Sequence, residues 1–140
     1  MKKSIDFRLG IAVGILSLSA LSALSQTQEI RVFSHRGGRM EHDENTMEAF
    51  VASHKAGYTG YETDIRMTKD GELIVTHDSK LDRTTNGSGA VEEKTLVELR
   101  KLNTKKGNKM ITLDELMDFL KDKPGLYVEF EMKTNPESLY

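Results

Sequence analysis

The sequence predicts an α/β fold with parallel strands, on two observations. Short β-like runs alternate with amphipathic helical stretches, an order for which a parallel sheet or barrel is the default. The β-like runs also end in ionisable residues: Val32-Phe33-Ser34-His35-Arg36, Glu62-Thr63-Asp64, His77-Asp78 and Glu129-Phe130-Glu131-Met132-Lys133. A parallel architecture gathers the carboxyl ends of its strands on one face, so these tips are expected to form one site.

The elements follow in order. Glu29 to Ser34 reads as a short strand. Asn45 is expected to cap a helix with Glu48 reaching back, and Met47, Phe50, Val51 and His54 fall on one buried stripe that Gly57 ends. Tyr61 to Met67 alternates, so Glu62, Asp64 and Arg66 share one face while Thr63, Ile65 and Met67 share the other. Asp70-Gly71 marks a tight turn into a strand from Leu73 to His77, and a polar loop with turn chemistry at Asn86-Gly87 follows. Thr95 with Glu98 and Thr112 with Glu115 are capping-box starts of two helices. The second is expected to bury Leu113, Leu116, Met117 and Leu120 before Pro124-Gly125 closes it and a strand begins near Leu126.

The chain has 140 residues. That suits one ordinary domain, but an eightfold (β/α) barrel takes roughly 250 residues. With its last strand so close to Tyr140, the chain reads as the N-terminal piece of something larger. Residues 1–25 read as a signal peptide: Lys2, Lys3 and Arg8 precede an apolar run to Leu24, and Ala23-Leu24-Ser25 offers small residues for cleavage. The run is at the short end of the about 17 to 25 residues of a spanning helix and has no charged stop after it. The expected product is exported, periplasmic or secreted, without a stable membrane anchor, and comprises residues 26–140.

The chain contains no cysteine, so disulfides cannot staple it and a sizeable apolar core has to hold it together. Cleavage removes Lys2, Lys3, Arg8 and Asp6, moving the formal net charge from −2 to −4. Neither that charge nor any basic stripe suits nucleic-acid binding.

Glu62 and Asp64 leave one strand face together and can grip a hard cation through oxygen; Glu131 would add a third carboxylate, a donor set suited to Mg²⁺ or Ca²⁺. A solvated sheet edge would show the same spacing. His35 and His77 each close a β-run and suit a general acid and base, or else zinc ligation. His42 and His54 read as structural or incidental. Arg36 offers a planar donor fork for a phosphate, Gly37-Gly38 allows close backbone approach, and Lys133 adds a cation. Together they fit hydrolysis of a phosphodiester, in which charge is neutralised and two protons move.

The ordered set His35-Arg36-Gly37, Glu44-Asn45-Thr46-Met47-Glu48-Ala49-Phe50, Glu62-Thr63-Asp64, Thr68-Lys69-Asp70-Gly71, His77-Asp78, Leu81-Asp82-Arg83-Thr84-Thr85-Asn86-Gly87 and Glu131-Met132-Lys133 resembles the glycerophosphodiester phosphodiesterase family. The resemblance implies the N-terminal half of a (β/α)8 TIM barrel of the phospholipase C-like phosphodiesterase type. It also implies divalent-cation-dependent cleavage of small glycerophosphodiesters to glycerol 3-phosphate and an alcohol. By position, the family's catalytic histidines fall on His35 and His77, its metal carboxylates on Glu62, Asp64 and Glu131, and its phosphate contacts on Arg36 and Lys133. Asp43 and Ile111 stand where the family usually has proline, which is expected to affect stability and not chemistry. The expectation is that these residues alone are weakly active or inactive. The alternatives are a phospholipase-type enzyme acting on intact lipids and a non-catalytic phosphodiester-binding module. Head group, oligomeric state and the order of the two histidines are not given by sequence.

Overall fold

The computed structural model describes residues 30–134. The expected signal peptide, residues 1–25, lies outside them. Strand β1 (Phe33–His35) is followed by helix α1 (Met47–Lys55) and strand β2 (Gly60–Met67). Next come β3 (Leu73–Val75), a 3-10 turn at Val91–Glu93, α2 (Leu96–Leu99), α3 (Leu113–Leu120) and β4 (Tyr127–Met132). Every expected strand and helix is present. Their ends shift: the first strand starts at Phe33 rather than Glu29, and the third stops at Val75 rather than His77.

The sheet centres on β2. Strand β1 pairs with it in parallel, His35 opposite Glu62, and β4 runs parallel along the other edge, with Asp64 opposite Glu131. Strand β3 is antiparallel, with Ile65 opposite Val75. The tip at His77-Asp78 is therefore not the carboxyl end of a parallel strand. Five residues join β2 to β3, whereas a parallel return needs a dozen or more. Thr68 and Asp70 shape that connection: Thr68 Oγ1 donates to Asp70 Oδ1 (2.7 Å) and accepts from Glu72 N (2.9 Å). The hairpin nevertheless brings His77 back along β2 to the level of the carboxylates on that strand. Thr76 N donates to Asp64 O at 2.9 Å, which leaves the following residue level with the middle of β2.

Helices α1 and α3 cover one side of the sheet, where Phe50, Tyr61, Ile65, Val75, Ile111 and Leu116 form a common core. Phe50 and Tyr61 meet edge to face with centroids 5.9 Å apart. A second small core packs Leu81, Val91, Leu99 and Met110 of the long connection after β3 against Ile74 of that strand, which keeps the excursion ordered without disulfides.

Three local expectations change. The cap of α1 is Thr46, whose hydroxyl accepts from Ala49 N at 3.3 Å, and not Asn45, which has φ of 59° and turns its side chain towards β2. With the helix starting one residue later, its inward face is Ala49, Phe50 and Ser53, while His54 is exposed. The Thr95–Glu98 and Thr112–Glu115 boxes both form, yet Met117 is exposed and Leu116 carries the burial of α3. Among the described residues no helix is long and apolar enough to cross a membrane.

Candidate active site

Strand register assembles the site. Asp64 and Glu131 are directly opposite on β2 and β4, and Glu62 lies two residues before Asp64 on the same side of the strand. One carboxylate oxygen from each of Glu62, Asp64 and Glu131 lies within 4.8 Å of the others. The three residues differ in exposure: Asp64 is fully buried, Glu62 half-buried and Glu131 exposed.

Asp64 is held from several directions. Asn45 donates through Nδ2 to Oδ2 at 3.0 Å, and Thr63 Oγ1 donates to Asn45 Oδ1 at 2.9 Å. Arg36 Nε lies 3.3 Å from Oδ2, and Lys133 Nζ lies 3.5 Å from Oδ1. Neither contact has hydrogen-bond geometry, so Asp64 Oδ1 and Arg36 Nε are buried polar atoms without a hydrogen-bond partner. A buried carboxylate oxygen without a partner is costly. A hard cation between Asp64, Glu62 and Glu131 would satisfy it, so the donor set fits an oxygen-seeking divalent metal.

The basic groups approach from two strand ends. Arg36 follows β1 with φ of 53°; its backbone N–H donates to Glu62 O (2.9 Å) and Glu62 Oε2 (3.2 Å). That conformation turns the chain at the strand end and leaves Arg36 8% exposed, beside the carboxylates. Gly37 follows with φ of 74°, and a Cβ there would lie 2.9 Å from the Ala49 Cβ, so glycine is required. Lys133, just beyond β4, places Nζ 2.5 Å from Glu131 Oε1. That contact holds the Glu131 carboxyl below its usual range and the Lys133 ammonium above its own, so both stay charged.

The histidines reach the same region. His35 Nε2 is 3.5 Å from Glu62 Oε2, with about half its side chain exposed. His77 Nδ1 is 2.7 Å from Asp78 Oδ1, and its charge contributes to lowering the Glu131 carboxyl. His54 stands apart, against the Tyr61 hydroxyl and the Phe119 ring.

Glu44 and Arg83, which the strand-end pattern did not single out, join Asp78 in tying these parts together. Arg83 donates to both oxygens of Asp78 (Nε–Oδ2 2.5 Å, NH2–Oδ1 3.0 Å) and both of Glu44 (NH1–Oε2 2.9 Å, NH2–Oε1 2.6 Å). Glu44 Oε1 also accepts from Arg36 NH1 at 3.0 Å. Hydrogen bonds from Arg83 are the main reason the Asp78 carboxyl falls to about 2 and the Glu44 carboxyl lies below its usual range. An unbroken chain of contacts thus links His77 to Arg36. The adjacent His-Asp pair was the one local signal for this; the partnership of Glu44 with Arg83, 39 residues apart, has none.

Residues 35–139 match the model of the glycerophosphoryl diester phosphodiesterase family. A glycerophosphodiester phosphodiesterase of Caldanaerobacter subterraneus subsp. tengcongensis is 40% identical over 110 residues, covering 74% of this chain and 45% of that protein. Human glycerophosphodiester phosphodiesterase 1 is 41% identical over 87 residues, covering 62% of this chain and 26% of that protein. Among solved structures, a glycerophosphodiester phosphodiesterase of Agrobacterium tumefaciens superposes with a TM-score of 0.68 at 31% identity, covering 74% of this chain and 47% of the other. A phosphodiesterase of Oleispira antarctica in complex with the product sn-glycerol-3-phosphate superposes with a TM-score of 0.72 at 27% identity, covering 79% and 47%.

The fold is thus α/β, a portion of a (β/α)8 barrel. The chain belongs to the glycerophosphoryl diester phosphodiesterase family. It spans less than half the length of the curated relatives described above.

Proposed function

We propose that this chain carries the catalytic groups of a divalent-cation-dependent phosphodiesterase that cleaves small glycerophosphodiesters to glycerol 3-phosphate and an alcohol. The observation that carries the reading is the convergence of three carboxylates around Asp64 Oδ1, which accepts no hydrogen bond, with Arg36, Lys133 and His35 beside them. In this reading Glu62, Asp64 and Glu131 hold Mg²⁺ or Ca²⁺, which when bound neutralises charge on the reacting phosphate.

Arg36 and Lys133 supply further positive charge to the phosphate oxygens, where charge grows in the transition state. His35 and His77 act as the acid–base pair: one takes a proton from the water that attacks phosphorus, the other gives one to the departing alcohol oxygen, which leaves glycerol 3-phosphate and the free alcohol. Asp78 stays ionised and only accepts hydrogen bonds, so His77 carries its proton on Nδ1 and presents Nε2 for transfer. Residues 1–25 act as a cleaved export signal, and the protein works in the periplasm or outside the cell.

These residues alone are expected to be weakly active or inactive, so the test is release of glycerol 3-phosphate from glycerophosphocholine, with Mg²⁺ or Ca²⁺, by a purified protein in which they are joined to the rest of a (β/α)8 barrel. Turnover that EDTA abolishes is expected, as is an N-terminus at Gln26 in the exported protein. Tight binding of the diester without release would favour a binding module instead.

A further inference from the structure

A basic cleft of about 200 Å³ lies between the loop after β1 and the turn around residues 104–107, and Glu44 and Arg83 form its inner wall. Its walls come from segments far apart in sequence that are joined directly. Asp43 accepts from the Thr104 hydroxyl and from Lys106 N (2.9 Å), and Lys106 Nζ donates to the Glu41 carbonyl at 2.9 Å. Asp43, at the usual proline position, therefore ties the loop after β1 to this turn.

The charges in the cleft do not cancel. Both carboxylates are occupied within the protein, Asp43 by Thr104 and Lys106 N, and Glu44 by Arg36 and Arg83. Arg83 is neutralised by Glu44 and Asp78. Lys106 meets a neutral carbonyl, and the side chains of Arg39 and Lys105 make no hydrogen bond or ion pair among the described residues. Three cations thus face the cleft with one carboxylate against them. The cleft wall also lies close to the active site, since Glu44 is 3.0 Å from Arg36, which is 3.3 Å from Asp64.

We infer that this cleft is a second anion subsite, so that the preferred substrates are glycerophosphodiesters carrying an additional phosphate near the scissile one. Arg39 supplies a planar fork and Lys105 a point charge, the two common ways of holding a phosphate. The inference rests on the proposed function for its substrate but names residues outside the catalytic set.

The test compares glycerophosphoglycerol with bis(glycerophospho)glycerol, which shares its linkage and adds a second phosphodiester. The ratio of their kcat/KM values is measured in the wild-type protein and in Arg39→Ala/Lys105→Ala. Two exposed charge contacts predict a wild-type ratio favouring the second diester by about three- to tenfold, most of it lost in the variant through KM. A Lys105→Glu substitution alone should lower the ratio further than Lys105→Ala. A wild-type ratio near the twofold expected from two equivalent bonds, or one unchanged in the variants, overturns the subsite while leaving the proposed function standing. If neither diester is cleaved by the protein that carries the complete barrel, the proposed function falls, and the ratio of calorimetric affinities of the two uncleaved diesters decides the cleft by the same margins.

Discussion

His77 and Asp78 are adjacent in sequence and hydrogen-bonded through their side chains, Nδ1 to Oδ1, at 2.7 Å. Adjacent residues on a regular strand point to opposite faces, so this contact requires the chain to have left the sheet. It has: β3 ends at Val75, and Arg66 Nε donates to the His77 carbonyl at 2.9 Å, fixing the backbone beyond the strand. The pair orients an imidazole that the strand alone would leave free to rotate.

Replacing Asp78 by Asn removes the fixed negative acceptor and lets either tautomer of His77 form. In the proposed mechanism kcat should fall about 10²-fold or more with little change in KM. The folded state should be retained by circular dichroism. Activity within a few-fold of wild type would remove Asp78 from the mechanism.

Arg83 sets the charge state of that partner. The folded Asp78 carboxyl titrates near about 2, below its ordinary value of 3.8. Its pairing therefore stabilises the fold above that ordinary value and is lost as pH falls through about 2. In Arg83→Ala the midpoint should move up towards 3.8, read by carboxyl-detected NMR titration. An unmoved midpoint would mean that His77 and local backbone, not Arg83, hold the carboxyl down.

Asp64 is expected to couple cation binding to stability. Ligand present at a hundredfold excess over its Kd stabilises a fold by about 2.7 kcal/mol. Melting with and without Mg²⁺ or Ca²⁺ should show such a gain in the wild-type protein and none in Asp64→Asn, whose neutral side chain is a poorer ligand. Equal gains in both would place the cation elsewhere.

Asn45 carries a structural load at the same place. Asn45→Ala deletes the bonds to Asp64 and Thr63 and leaves a β-carbon residue at φ of 59°. Loss of two buried hydrogen bonds plus left-handed strain predicts destabilisation of about 2 to 4 kcal/mol, measurable by urea unfolding. Asn45→Gly, which removes the strain alone, should recover about 1 kcal/mol of it.

Much of the site was legible because strands project side chains with a fixed period. Glu62 and Asp64 on one strand, and Glu131 and Lys133 at the end of another, are paired by spacing of two, and the observed register sets Asp64 against Glu131. Capping boxes at Thr95 and Thr112 were readable for the same reason, since their partners lie three residues away. At Asn45 that local logic misled, because an Asn before Thr46 has two possible uses and the neighbour took the cap. Its own side chain went to a strand 18 and 19 residues on.

The sequence by itself determined the α/β order, the helix starts at Thr95 and Thr112, the carboxylate pairs and the resemblance that led to the family, all of which depend on short-range periodicity and motif order. Only the tertiary structure decided that β3 turns back antiparallel, that Asn45 braces Asp64, that Arg83 bridges Glu44 and Asp78, and that Asp43 closes a basic cleft. Each of these joins groups from separate loops. Their hydrogen bonds depend on where packing of the core sets the loops, and no local spacing encodes that distance.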